Sequence, residues 1–170
     1  MKKIVIVYGT NLGTTELIAK KIEAEIKYPT TLIDVTKTNV DFINEFDVII
    51  FGTSTWGTGD ILDVWLEFDF KRLEVENKTF LLFGCGDCQT YPYTFCDGMG
   101  RLFEILNRKK AHIIGATDIK EYEYDFEESR ALYKNKVVGL MIDQDSQPEK
   151  TDFRIKKWTT WINENLGRIL

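Results

Sequence analysis

No apolar run in the chain approaches the ~20 residues needed to span a membrane, so no membrane insertion is expected. The start, Met1-Lys2-Lys3 and then a short stretch to Tyr8, is too brief for the apolar core of a secretory signal. Cysteine is scarce and odd in number, with three residues and no secretory context, which points to reduced thiols in a cytoplasmic protein. Histidine occurs once, at His112, and no His/Cys cluster has metal-ligand spacing, so no metal is expected. Basic residues are in the minority, 22 against 27 acidic, for a net charge of −5. That balance argues against a nucleic-acid partner and for a partner with a basic face. Repeats, low-complexity tracts and interdomain linkers are also missing. The 170 residues are therefore expected to form a single domain, 1–170, with a sizeable core.

What is present is organised around Tyr8-Gly9-Thr10-Asn11-Leu12-Gly13-Thr14-Thr15-Glu16. The apolar run Ile4–Val7 precedes it, and Leu17, Ile18, Ile22 and Ile26 follow at helical spacing. The stretch reads as strand, glycine-hydroxyl loop, helix. Unpaired N–H groups and the positive end of the helix dipole make such a loop suited to a phosphate. The alternative is a plain helix cap, for which Thr and Asn are ordinary residues.

Strand and helix signals then alternate. Thr31–Val35 reads as β, and Asn39–Phe46 as a short helix. Val48–Gly52 and Phe80–Gly84 are continuous apolar runs, as expected of strands buried on both faces. Thr53–Asp63 reads as a loop leading into a short helix. A further helix is expected to end near Asn107, and Ala111–Gly115 to begin a fifth strand. The pattern breaks at residues 117–135 and β character resumes over Val137–Ile142. The last helix, with Pro148 near its start, is expected to bury Ile155, Trp158, Ile162 and Leu166. Repeated βα units imply a parallel sheet with helices on both faces and ligands beyond the carboxyl ends of its strands.

Three loops leave those ends. The first, Gly9–Thr15, lacks the length and lysine of a Walker A motif and lacks G-x-G-x-x-G. Hydroxyls and amides without a cation suit one terminal phosphate monoester. The second is Thr53-Ser54-Thr55-Trp56-Gly57-Thr58-Gly59-Asp60, where Trp56 is a stacking platform or a cover for the core edge. The third is Gly84-Cys85-Gly86-Asp87-Cys88-Gln89-Thr90-Tyr91. Tyr91 is a second candidate platform, while Cys85 and Cys88 form a C-x-x-C that also admits thiol–disulfide exchange. Cys96 is read as a packed helix residue.

Together these loops resemble those of flavodoxins. The shared motifs are Thr10–Thr15, Thr55-Trp56-x-x-Gly59-Asp60, and Gly84-x-Gly86-Asp87 with Tyr91. The tail Gly139–Pro148 and Arg154-Ile155-Lys156-Lys157-Trp158 extend the likeness over essentially the whole chain. Tyr124-Asp125-Phe126-Glu127-Glu128-Ser129 resembles the insertion that interrupts the fifth strand in the long-chain subgroup. The resemblance implies a three-layer α/β/α sandwich with a five-stranded parallel sheet of order 2-1-3-4-5, an arrangement for which flavodoxin is a standard example. It implies non-covalent FMN. Thr10, Asn11, Leu12, Gly13, Thr14 and Thr15 would wrap the phosphate. Trp56 and Tyr91 would cover the two ring faces, within the loops Ser54–Gly59 (Ser54, Thr55, Gly57, Thr58, Gly59) and Cys85–Tyr91 (Cys85, Gly86, Asp87, Cys88). Asp87 and nearby backbone would meet the pyrimidine edge, and Thr55 and Asp145 the ribityl chain. The family usually has a hydroxyl residue where this chain has Leu12, and often a proline where it has Ser54.

By the same resemblance the protein is a low-potential one-electron carrier rather than an enzyme. It would shuttle between semiquinone and hydroquinone as a ferredoxin substitute. Nearby carboxylates (Asp60, Asp63, Asp87, Asp97) would disfavour an anionic flavin, and a turning peptide at Gly57-Thr58 would support the radical. Partners would be redox proteins with basic faces, such as ferredoxin–NADP reductase or photosystem I, met by a monomer. Glu121, Glu123, Asp125, Glu127 and Glu128 form either a steering surface or a merely solvated face. The main rival is an FMN-dependent NAD(P)H:quinone reductase, which needs room over the ring. A receiver-type signalling domain would want acids where Gly9-Thr10 and Gly52-Thr53 stand.

Overall fold

The computed structural model describes residues 2–123 and 128–169. In chain order the strands are β1 (Ile4–Gly9), β2 (Thr30–Asp34), β3 (Val48–Trp56), β4 (Asp60–Ile61), β5 (Thr79–Cys85), β6 (His112–Ile113), β7 (Leu132–Tyr133), β8 (Lys136–Val137) and β9 (Leu140–Ile142). The α-helices are α1 (Thr14–Glu25), α2 (Val40–Ile43), α3 (Asp97–Arg108) and α4 (Thr151–Ile169).

The parallel sheet runs β2-β1-β3-β5, and both β6 and β9 then pair with β5. β6 meets the start of β5 (Thr79↔His112, Phe80↔Ile113) and β9 meets its end (Phe83↔Leu140, Cys85↔Ile142). β6 and β9 are thus two halves of one fifth strand, and the expected 2-1-3-4-5 order with a long-chain insertion is what the chain adopts. The interruption spans 114–139, wider than the 117–135 read from sequence. Within it, β7 and β8 form a small antiparallel hairpin, and Thr117 bridges Val137. The run Val137–Ile142 is therefore not one strand: its start belongs to the hairpin and its end to the sheet. Tyr122 sews the two together, its hydroxyl accepting from the Met141 amide at 3.1 Å and lying 2.8 Å from the Thr117 hydroxyl.

Alternation along each strand separates two cores. Val5, Val7, Ile49, Phe51, Phe80 and Leu82 face Trp65, Phe68 and α3. Ile4, Ile6, Val48, Ile50, Leu81 and Phe83 face α1 and α4. Both faces are dry, which is why these strands read as unbroken apolar runs. Each such side chain contributes about 1.5–3 kcal/mol on burial. Ile155, Trp158, Ile162 and Leu166 of α4 are buried as their spacing predicts. In α1 the buried stripe is Thr15, Ile18, Ala19 and Ile22. Leu17, counted in that stripe from sequence, is 45% exposed because it projects about 100° from Ile18 around the helix. α2 is shorter than Asn39–Phe46: Asn39 caps it by accepting from Phe42 N at 3.0 Å.

The largest departure from the sequence reading lies in Thr53–Asp63. β3 continues to Trp56, turns through Gly57-Thr58-Gly59, and returns as β4, with Thr55↔Ile61 and Trp56↔Asp60 in antiparallel register. The turn needs left-handed backbone at Gly57 (φ 54) and Gly59 (φ 96), where glycine carries no Cβ penalty. The expected helix after it is a single 3₁₀ turn, Asp63–Trp65.

Candidate functional site

β1, β3, β5 and β9 end on one side of the sheet, and the segments leaving them enclose a cleft of about 210 Å³. One end is the Gly9–Thr15 loop. The Thr10 hydroxyl accepts from Gly13 N at 2.9 Å, folding the loop back on itself. Gly13 stands before α1 in the left-handed region (φ 92) with no side-chain cap on the helix. The first intrahelical bond runs from Leu17 N to Gly13 O at 3.0 Å, so the amides of Thr14, Thr15 and Glu16 are the donors such a start leaves over. The helix-cap alternative fails here, because neither Thr10 nor Asn11 caps α1. The Thr15 hydroxyl is buried and makes no hydrogen bond of good geometry, its contact with the Cys85 thiol being a loose one. Thr10, Asn11, Leu12, Thr14 and Thr15 all line this end, with Leu12 87% exposed at the rim.

At the other end stand Trp56 and Tyr91, 49% and 51% exposed. About half of each ring is free to accept a planar group. Both rings also border a second depression of about 420 Å³ that shares Thr55, Gly86 and Asp87 with the first and reaches Gly57 and Thr94. Ser54, Thr55, Cys85, Gly86, Asp87 and Asp145 line the first cleft. Gln144, which nothing in the sequence had marked, joins them. No Lys or Arg lines either space among the described residues.

Four of the expected site residues sit outside the lining. Gly13 shapes the loop from behind. Thr58 is exposed at the hairpin tip. Gly59 is buried against Asp97, where a Cβ would lie 2.7 Å from Asp97 Oδ2. Cys88 lies under the third loop, its amide donating to Asp143 Oδ2 at 3.0 Å.

The third loop is held by two aspartates. Asp87 Oδ1 accepts from Gln89 N, Thr90 N and the Ser146 hydroxyl, and Oδ2 accepts from the Thr90 hydroxyl at 2.6 Å. Burial alone would raise its carboxyl, but the Thr90, Ser146 and Gln89 bonds together keep it below the ordinary value. A carboxylate so occupied structures its own turn while lining the cleft. Asp143, fully buried, accepts from Cys88 N through Oδ2 and from Ser146 N through Oδ1 at 2.7 Å. It joins the loop after β5 to the loop after β9. Burial, then the Asp87 and Asp143 charges, raise Asp145 beside them. Asp143 was not singled out from the sequence, where Asp143 and Asp145 look alike.

The remaining expectations are sorted by the same geometry. Thr55 Oγ1 accepts from Gly98 N at 2.9 Å, so this hydroxyl docks β3 onto α3 while facing the cleft. Asp97 lies behind the hairpin, accepting from Arg130 N at 2.8 Å and the Ser129 hydroxyl. Burial raises its carboxyl in spite of those bonds. Cys85, Cys88 and Cys96 are all buried, and burial pushes the Cys85 thiol up to about 12. Thiol exchange requires an accessible thiolate, so this C-x-x-C lacks the chemistry for it. Cys96 packs fully, but in left-handed backbone just ahead of α3 rather than inside it. Of the acidic run, Glu121 pairs with Lys157 (3.2 Å) and Glu123 with Lys150. Asp125 and Glu127, with Tyr124 and Phe126, lie outside the described residues. Among the described residues there is no acidic or His/Cys group able to hold a metal, and no helix is long and apolar enough to cross a membrane.

Comparison with known proteins identifies the family. The profile of the Flavodoxin family matches residues 6–158. A flavodoxin of Buchnera aphidicola from Acyrthosiphon pisum is 40% identical over 166 residues, covering 95% of this chain and 96% of its own. Flavodoxin 1 of Escherichia coli K12 is 34% identical, covering 95% of this chain and 93% of its own. The crystal structure of Fusobacterium nucleatum flavodoxin bound to flavin mononucleotide superposes with a TM-score of 0.88 at 29% identity, over 97% of this chain and 99% of that one. A cleft at the carboxyl ends of a 2-1-3-4-5 sheet and relatives matched along nearly their full length agree: the chain belongs to the flavodoxin family.

Proposed function

We propose that this protein binds FMN non-covalently in the cleft and serves as a low-potential one-electron carrier, a redox partner of enzymes rather than an enzyme. The observation that carries the proposal is the polarity of the cleft. Unpaired donors, the α1 amides and the buried Thr15 hydroxyl, stand at one end, and two half-exposed aromatic rings stand at the other. That pattern fits a ligand with a phosphate at one end and a flat ring at the other. The lack of lining cations suits a single phosphate held by dipoles and hydrogen bonds.

When bound, FMN supplies the redox chemistry. Thr10–Thr15 would hold the phosphate, Trp56 and Tyr91 would cover the ring, and Gly86–Asp87 backbone would meet its polar edge. Thr55, Gln144 and Asp145 would flank the chain between. Asp60, Asp87 and Asp145 gather negative charge around the site, which disfavours adding further negative charge and would make the lower couple strongly reducing. Acceptors of its electrons would present basic faces to this acidic rim. A quinone reductase needs one ring face open, and Trp56 and Tyr91 together leave little room for a second planar substrate.

The test is direct. Purified protein is expected to be yellow, to release FMN on denaturation in a 1:1 ratio, and to develop long-wavelength absorbance on partial reduction. A colourless protein that takes up no added FMN would overturn the proposal. Steady NADPH oxidation by the protein alone would favour the reductase.

A further inference from the structure

The hairpin carrying Trp56 is gripped from behind by α3. On its first strand the grip is the Thr55 hydroxyl accepting from Gly98 N at 2.9 Å. On its turn and second strand the grip is Arg101. Arg101 Nε donates to the Gly59 carbonyl at 2.6 Å, and one terminal nitrogen reaches Asp60 Oδ1 at 3.4 Å. The hairpin pairs with itself only at Thr55↔Ile61 and Trp56↔Asp60, so so short a ladder is not stable alone. Arg101 also faces Asp60 and, through space and after Arg130, Asp97. Among the described residues, neither space bordered by Trp56 and Tyr91 has a basic lining residue of its own.

We propose that Arg101 is a positioning residue for the redox site, fixing the Trp56–Asp60 hairpin through the Gly59 carbonyl and offsetting the Asp60 carboxylate beside it. The two tasks belong to different parts of the guanidinium. The Nε–H, part of the rigid planar fork, sets the turn; the net charge sets the local field. The redox half of this proposal rests on the FMN reading above, whereas the hairpin half does not.

Two variants separate the tasks. In Arg101→Met both are lost. Amide hydrogen exchange across Trp56–Ile61 in flavin-free protein is expected to rise at least tenfold, while exchange in β1 and β5 stays unchanged. FMN is expected to bind about tenfold more weakly, and inorganic phosphate, measured as a competitor of FMN, to bind as in the parent. The midpoint potential of the lower couple is expected to shift negative, more at low salt than at high. Arg101→Lys keeps the charge without the fork: exchange is expected to rise, and the potential to remain near that of the parent. Unchanged exchange across Trp56–Ile61 in both variants overturns the hairpin role. An unchanged potential in Arg101→Met overturns the electrostatic role. Equal loss of phosphate and FMN binding with a general rise in exchange would reduce Arg101 to a fold residue. Should the parent take up no FMN, the cofactor reading fails while the exchange measurement still decides the hairpin role.

Discussion

Thr15 is the residue at which folding and function separate most cleanly. Its side chain is on the buried stripe of α1, yet its hydroxyl has no good partner there. A buried hydroxyl left unpaired costs about 1–3 kcal/mol, so the fold alone would prefer valine, which has the same shape. Thr15→Val is therefore expected to leave the flavin-free protein as stable or about 1 kcal/mol more stable in denaturant titration. It is expected to weaken FMN binding about tenfold, a loss of ~1.4 kcal/mol. Equal or tighter binding would mean that the donor end of the cleft has been misplaced. Asp87 shows the opposite economy. Its carboxyl is held below the ordinary value by four donors, so it adds stability above the unfolded-state value that disappears as pH falls through the lowered folded value. Asp97 has the reverse sign: its raised folded value favours the protonated form, a contribution present at low pH and lost as pH rises through that value.

Elements differ in how far they could be read beforehand, and the reasons are physical. β1, β3 and β5 are buried on both faces, so their apolar runs admit little but strand. The phosphate-type loop was legible because a strand, a glycine-hydroxyl turn and a helix follow within a few residues. The hairpin of β3 and β4 was not legible: Thr-Ser-Thr-Trp and Asp-Ile are too short for any period, and two glycines in left-handed backbone look like loop until their register is seen. The division between β8 and β9 was hidden for the opposite reason: Val137–Ile142 is one nearly unbroken apolar run. Arg101 and Asp143 were missed because nothing in a sequence distinguishes a helix arginine or a loop aspartate that points at a neighbouring backbone. Asp143 yields a prediction at this scale. In Asp143→Asn one amide hydrogen must face either Cys88 N–H or Ser146 N–H, donor against donor. The two loops should separate, and riboflavin, which lacks the phosphate, should bind about tenfold more weakly, a loss of ~1.4 kcal/mol. Affinity for inorganic phosphate should not change. If riboflavin binding were also unchanged, the tie between these loops would have no part in holding the ring.

Across the whole molecule, a parallel sheet sorts charge along its axis. Lys2, Lys3, Lys78, Lys109 and Lys110 stand just before β1, β5 and β6, at the end away from the cleft. Asp34, Asp60, Asp87, Asp143 and Asp145 stand at or beyond the ends of β2, β3, β5 and β9, around it. Glu45 and Asp47, just before β3, are acidic exceptions at the far end, and the remaining asymmetry supports the proposal that a basic partner meets the cleft end. Of the acidic run of the insertion, Glu121 and Glu123 are matched by Lys157 and Lys150. Asp63, an exposed carboxylate near the hairpin, is better placed to steer, since Arg101 already offsets Asp60. Electron transfer to a basic redox protein should then slow severalfold between 10 mM and 0.5 M salt, because the Debye length falls from about 30 Å toward a few Å. Asp63→Asn should slow transfer at low salt and match the parent at high salt, whereas Glu121→Gln combined with Lys157→Gln, which removes an ion pair without changing the net charge, should change the low-salt rate little. Stopped-flow rates at the two salt concentrations decide it. A larger effect from the Glu121–Lys157 pair than from Asp63 would move the docking face from the cleft rim to the insertion.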